Sequence, residues 1–192
     1  PARGVNFQSS PGGPFSVGVD TGRNAVSLGH LIKLWQQTDF RRYYGFDIFA
    51  GYPEGDLVSS PHLSSRDHHY SYSSSRNLLE KSGVGDVCSL IQGDLVEKLP
   101  EFIDSPPLGA KFSPRHLLIA LVYIDCNAFR VTLRSLESLT PTLAPGAVIA
   151  VDETIQGGET AALLEWAKRT GQKVEAGSFG SATSSVVRYD GK

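Results

Sequence analysis

Residues 117–129 read LLIALVYIDCNAF, residues 130–146 read RVTLRSLESLTPTLAPG, and residues 147–153 read AVIAVDE. The first and last runs are rich in Ile, Val and Leu, the pattern of strands buried on both faces of a helix-covered parallel sheet. Between them Phe129, Leu133, Leu136 and Leu139 recur near helical spacing, and Pro145-Gly146 ends the crossover. The stretch is a strand–helix–strand unit, whose connection is right-handed and whose strands run parallel. Both strand ends therefore emerge at the carboxyl edge of the sheet, where open α/β folds bind ligands. One ends in Asp125 and the other in Asp152 and Glu153. Three carboxylates with no Lys or Arg in either tip repel one another, and a hard divalent cation such as Mg²⁺ relieves that repulsion.

Composition bounds the reading. At 192 residues with net charge −2, the chain suits one α/β domain spanning 1–192. No basic run or stripe marks a nucleic-acid surface. The longest apolar stretch, LLIALVYI, falls well short of the roughly 20 residues that span a bilayer. Pro1 begins the chain and methionine is absent, so a removed or missing amino-terminal piece is left open. Cys88 and Cys126 fall in expected strands without metal-type spacing, which favours a reduced, cytoplasmic protein.

Outward from the central unit, residues 1–13 read as a loose leader. FSVGVDTG is a strand running into a glycine turn, and RNAVSLGHLIKLWQQT follows as a helix with Ala25, Leu28, Ile32 and Trp35 on one face. YYGFDIFAG is a second strand. Residues 55–76 are polar and read as a lid or substrate loop. SSRNLLEKSG is a helix stopped by Gly83, VCSLIQGD a third strand and LVEKLPEFI a helix. GGETAALLEWAKRTG is a helix ending at Gly171, with Glu159 and Glu165 as surface charges, and Trp35 and Trp166 read as packing residues. KVEAGSF and SSVVRYDG form a closing antiparallel hairpin around Gly180-Ser181. Seven strands, a helix after each of the first five and a final antiparallel strand form a Rossmann-like α/β plan resembling class I methyltransferases.

Each strand tip has a functional and a plain reading. Gly18 and Gly22 let the backbone approach a ligand at a helix amino terminus, or simply make a tight turn. Their spacing is not the dinucleotide fingerprint, which disfavours a nicotinamide cofactor. Asp47 ends the second strand where an acid grips ribose hydroxyls, or caps a turn. Gly93 and Asp94 end the third strand, where an acid lies near an adenine amino group, or Asp94 caps the next helix. Asn127 is a carbonyl ligand or the cap of the helix beginning near Phe129. The histidines at 62, 68 and 69 are proton acceptors or members of a solvated loop.

The strings YYGFDIFAGYPEGD, IQGD, VYIDCNAF and APGAVIAVDE, in this order, resemble the macrocin O-methyltransferase (TylF-like) family over residues 15–170. The resemblance implies methyl transfer from S-adenosylmethionine to a hydroxyl of a sugar or other small secondary-metabolite acceptor, assisted by Mg²⁺ or Mn²⁺. It implies Gly18, Gly22, Asn24, Asp47, Gly93 and Asp94 around S-adenosylmethionine, with Asp125, Asp152 and Glu153 at the metal. Several positions depart from the family. Glu153 replaces an Asp, and Asn127 stands where the family carries an Asp proposed as general base. Ser16 takes the place of a common Glu, and Asn24 that of a small hydroxyl residue. The family's covering amino-terminal segment before the first strand is expected to be missing. With Asp125 and Asn127 at the acceptor, proton transfer falls to water or to His68 or His69. The alternative is a degenerate module that binds S-adenosylmethionine or a partner without catalysis; a catechol-type enzyme fits the GFDIFAGYPEG string less well. Nucleic acid and membrane partners are not expected, and a homo-oligomer is left open.

Overall fold

The computed structural model describes residues 13–35, 38, 41–64, 69–104, 118–152, 158–179 and 182–191. Seven strands make one sheet: β1 (Gly13–Val17), β2 (Tyr43–Asp47), β3 (Cys88–Gln92), β4 (Ile119–Ile124), β5 (Leu143–Val151), β6 (Val174–Phe179) and β7 (Ala182–Arg188). Their spatial order is β3-β2-β1-β4-β5-β7-β6. The first five strands pair in parallel, and β7 runs antiparallel to both β5 and β6. The helices are α1 (Arg23–Leu34), α2 (Glu54–Ser59), α3 (Tyr72–Lys81), α4 (Leu95–Asp104), α5 (Phe129–Leu139) and α6 (Gly158–Thr170). This is the mostly parallel, Rossmann-like sheet expected from the sequence. From β1 the chain builds outward to β2 and β3 and then returns to start again at β4, so the order reverses between β1 and β4. A crevice opens at such a reversal, outside the carboxyl ends of the strands.

Strand alternation divides the core into two layers. Phe15, Val17, Tyr44 and Phe46 face α4, α5 and α6, while Tyr43 and Cys88 pack with Ala25, Ile32 and Leu79 from α1 and α3. In the first layer the Phe15 and Phe46 rings stack with centroids 4.8 Å apart, and Phe102 of α4 stands edge-on to Phe46 at 5.2 Å. Such offset and edge-to-face pairs are favoured by the ring quadrupoles.

Several local expectations change in three dimensions. The polar segment 55–76 is not one loop: α2 fills its start and α3 its end. Cys126 lies beyond β4, not within a strand. Trp35 is 38% exposed and is not a core residue, because α1 buries Ala25, Gly29 and Ile32. Asn127 does not cap α5. It takes φ +57°, the cap position is Ala128, and the first helical N–H, on Phe129, donates instead to Ser60 Oγ at 2.9 Å. Glu159 is not a surface charge but wholly buried, whereas Glu165 is a surface residue paired with Arg169 at 2.9 Å. The leader's residues 1–12 and the hairpin tip at Gly180-Ser181 lie outside the described residues. Among the described residues no helix is long and apolar enough to cross a membrane.

Helix α6 anchors on Trp166, which is 1% exposed and donates through Nε1 to Thr140 Oγ1 at 2.9 Å. Trp166→Ala should lower stability by about 3–5 kcal/mol through the cavity it leaves. Thr140→Val should cost only about 1–2 kcal/mol for the unmatched indole N–H. Urea unfolding of both variants checks the ranking, and equal losses would contradict it.

Candidate active site

The β1–β4 reversal holds a cleft of about 560 Å³, open to solvent and lined by the tips of β1, β2 and β4, the start of α4 and the segment from Gly51 to Asp56. Its β1 wall is a backbone contact. Gly18 has φ +86°, and a Cβ there would lie 1.9 Å from the Asp125 carbonyl oxygen, so no other residue fits without moving the β4 tip. Asp20 follows with φ +52° and lines the same wall. From outside, Ser75 Oγ donates to the Asp20 carbonyl at 3.0 Å, and the Tyr70 hydroxyl meets the Asp20 carboxylate, whose charge raises the phenol above its ordinary pKa.

Asp47 ties the β1 and β2 tips together. Its Oδ2 accepts the N–H groups of Val19 at 2.8 Å and Asp20 at 3.0 Å, and its Oδ1 accepts that of Phe49 at 2.7 Å. The turn-capping role is therefore realised, on the same side chain that faces the cleft. Asp94 shows the same duality. Oδ1 caps α4 by accepting Val96 N–H at 2.9 Å, and Oδ2 meets Arg130 at 3.2 Å.

Sequence reasoning gave Arg130 no role. Its guanidinium also bonds Asp56 Oδ1 at 2.7 Å, where the Asp56 side chain is only 5% exposed. It thereby links α2, α4 and α5 beneath the cleft. Burial pushes the Asp56 carboxyl above its ordinary range despite the pull of Arg130. For Arg130, burial opposes the charge, but the bonds to Asp56 and Asp94 outweigh it and raise the guanidinium. The signal was hidden because PEGD and NAFR are far apart in sequence.

At the other end, Asp125 and Asp152 directly follow the register pair Ile124–Val151 and so stand level on adjacent parallel strands. Asp125 lines the cleft; Asp152 lies one strand further on, held by the Tyr123 hydroxyl at 2.8 Å. Burial first, and then the charge of Asp125, keep the Tyr123 phenol far above its ordinary pKa. Tyr52, another cleft residue, is raised chiefly by burial, and accepts from Asn127 Nδ2 at 3.5 Å. Both phenols are held as neutral O–H groups. The Cys126 thiol is pushed well up by burial and the charge of Glu159, which leaves it an inert thiol.

The structure thus gathers Gly18, Asp47, Asp94 and Asp125 around one cleft and places Asn127 beside its Tyr52 wall. Gly22 and Gly93 stand behind it as turn glycines, with φ +91° and +143°. Asn24 does not reach the cleft: it is exposed in the first turn of α1. His69 is exposed and outside the lining, while His68 and Glu153 lie outside the described residues. Among the described residues no three His, Cys, Asp or Glu side chains form a ready metal cluster. Two neighbouring carboxylates nevertheless suit Mg²⁺, which keeps several waters and takes only one or two carboxylates. Of the five aspartates lining the cleft, Arg130 pairs with Asp56 and Asp94, and the charge of Asp20, Asp47 and Asp125 suits a positively charged ligand.

The family model of a methyltransferase domain, Methyltransf_24, matches residues 15–154. The chain belongs to this methyltransferase family. The comparison with curated proteins gives no match. Solved structures similar to this methyltransferase domain include CalS11, a calicheamicin methyltransferase, at 23% identity and TM-score 0.73, covering 93% of this chain and 72% of that one. The O-methyltransferase NovP is 18% identical with TM-score 0.76, over 95% of this chain and 74% of its own. TomG from Streptomyces achromogenes, solved in complex with S-adenosylmethionine, is 13% identical with TM-score 0.58, over 92% and 73%. At these identities the likeness is one of fold.

Removing Arg130 should leave Asp56 charged and buried without its ion-pair partner. Arg130→Ala should cost about 3 kcal/mol wherever the Asp56 carboxyl is ionised. Because burial raises the folded-state pKa of Asp56 above its unfolded value, the penalty applies above that folded pKa and fades as pH falls through it. Urea unfolding from about pH 7.5 to about pH 4.5 should show parent and variant converging with acid. A gap that stays constant over that range would contradict the buried ion pair.

Proposed function

We propose that this methyltransferase domain carries out O-methylation in the manner of TylF-like enzymes. The methyl group passes from S-adenosylmethionine to a hydroxyl of a sugar or other small secondary-metabolite acceptor, with Mg²⁺ or Mn²⁺ assisting. The observation that supports this most is the position of Asp125: it lines the cleft at the strand reversal and stands level with Asp152 on the next strand. One carboxylate thus serves both the cofactor end and the cation end.

On this reading the chain divides the work along the sheet edge. Gly18 supplies the bare backbone against which a cofactor lies. Asp47, fixed by three N–H groups, offers the remaining lone pair of Oδ1 to a ribose hydroxyl. Asp94 sits where an adenine amino group would be met. The acidic lining favours a sulfonium over an anionic cofactor. S-adenosylmethionine supplies an electrophilic methyl, which the acceptor oxygen takes as the C–S bond breaks, leaving a thioether and releasing the hydroxyl proton. Asp125 and Asp152 would hold the cation, with Glu153 next in sequence, and a divalent cation supplies the Lewis acidity that makes a hydroxyl easier to deprotonate.

The amide of Asn127 cannot take the released proton. Tyr52 and Tyr123, held neutral by burial, orient groups by hydrogen bonding and do not act as bases. The proton leaves to water, or to His68 or His69 of the loop before α3. Tyr70 of that same loop already reaches Asp20 on the cofactor wall, which supports a covering role for it. The second reading, a module that binds S-adenosylmethionine without catalysis, draws on Asn127 alone.

Transfer of labelled methyl from S-adenosylmethionine to a panel of sugars and phenols separates the two. Methylated product with Mg²⁺, and its loss on chelation, is expected. Asn127→Asp should keep or raise turnover, since a positioned base contributes about 10²–10⁴-fold. Asp tolerates the left-handed conformation of this position. No product from either form with cofactor bound would select the binding module.

A further inference from the structure

Glu159 lies at the first turn of α6, where the buried stripe of that helix begins: residues 159, 162, 163, 166 and 167 are all buried. The stripe has helical spacing, and its first member is a carboxylate with no solvent exposure. Its Oε2 accepts two backbone N–H groups, from Cys126 at 3.0 Å and from Asn127 at 3.1 Å. These are the two residues directly after Asp125. Asn127 has φ +57°, so both N–H groups of this turn converge on one acceptor. The neighbouring residue adds a contact to the same place. A Cβ on Gly158 would lie 2.5 Å from Phe129 N and 2.6 Å from Ser60 Oγ, so the start of α6 seats directly on the start of α5.

This arrangement joins two tips that are separate in sequence. Asp125 ends β4, and its turn is held by Glu159. Asp152 ends β5, the strand that leads into the helix carrying Glu159. A buried carboxylate is costly unless its oxygens are well bonded. A carboxylate in this apolar stripe, where Leu would pack as well, is accounted for by the two amides it binds. The anchor it makes is to the amides behind Asp125, not to the cleft.

We propose that Glu159 is a positioning residue that fixes the β4 tip relative to the β5 tip, so that Asp125 and Asp152 present their oxygens to one divalent cation. The inference rests on the metal-assisted reading above. Glu159 acts through the Cys126 and Asn127 amides and does not touch the cation. The acids at the β2 and β3 tips, Asp47 and Asp94, are held by amides of their own.

The test measures two affinities on the full chain: Mn²⁺ alone, by electron paramagnetic resonance, and S-adenosylhomocysteine alone, by calorimetry. Glu159→Ala should weaken Mn²⁺ by about 10–100-fold, the usual effect of losing a residue that orients a metal ligand, with a much smaller loss of S-adenosylhomocysteine affinity, since Asp47 and Asp94 keep their own anchors. Glu159→Gln keeps an oxygen for the two amides and should recover most of the Mn²⁺ affinity. Should the Ala form not fold, Glu159→Asp, which withdraws the acceptor by one methylene, is measured in the same way with the same expectation. Mn²⁺ affinity equal to the parent's, or a parallel loss of both ligands, would overturn the positioning role while leaving the metal reading in place. A parent protein that binds S-adenosylhomocysteine but no Mn²⁺ or Mg²⁺ would overturn both.

Discussion

The contact of Gly18 with the Asp125 carbonyl is the constraint from which the site follows. The two residues end β1 and β4, the neighbouring strands at which the order of the sheet reverses. A side chain at position 18 would push the strands' ends apart, since its first carbon would lie 1.9 Å from that carbonyl oxygen. With glycine there the two tips close at their backbones, and the side chains of Asp20, Asp47 and Asp125 are left around the opening. The aromatic layer below, with Phe15, Phe46 and Phe102 in contact, keeps β1 and β2 in register beneath it.

A site this acidic needs its charges managed, and the structure does so with backbone amides more than with cations. Asp47 takes three N–H groups, Asp94 takes the first turn of α4, and Glu159 takes two N–H groups behind the β4 tip. Hydrogen bonds to an ionised acceptor are stronger than neutral ones, and here they also fix the turns that carry the acids. Arg130 neutralises a different pair, Asp56 and Asp94, at the α4 side of the cleft. On the Asp125–Asp152 side the Tyr123 hydroxyl donates to Asp152 at 2.8 Å.

Strand-tip acids and turn glycines were legible in the sequence because hydrophobic period and chain order alone place them. The buried runs around Val122 and Ile149 determined a parallel unit, and a parallel unit determines which end of each strand shares an edge. What escaped the sequence depended on partners distant in the chain. Glu159 is an unremarkable acid in GGETAALLEW until α6 seats on the turn after β4, although its place in the 159–162–163–166–167 stripe was a readable sign of burial. Arg130 acquires its role only when α2 packs on α5. Spacing puts Trp35 among the core or inter-element packing residues; α1 turns Gly29 inward and leaves the indole 38% exposed, outside the core. The cap reading of Asn127, one of its two, comes from helix start signals that are local, whereas the capping oxygen for Phe129 comes from Ser60.

The central claim is that the β1–β4 reversal is the methyl-donor site of this domain. Titration with S-adenosylhomocysteine, followed residue by residue through backbone amide NMR shifts, tests it most directly. The account predicts saturable shifts centred on Gly18, Asp20, Asp47, Asp94 and Asp125, with the amides of β6 and β7 unmoved. Saturable shifts centred elsewhere, or none at millimolar ligand, would contradict it.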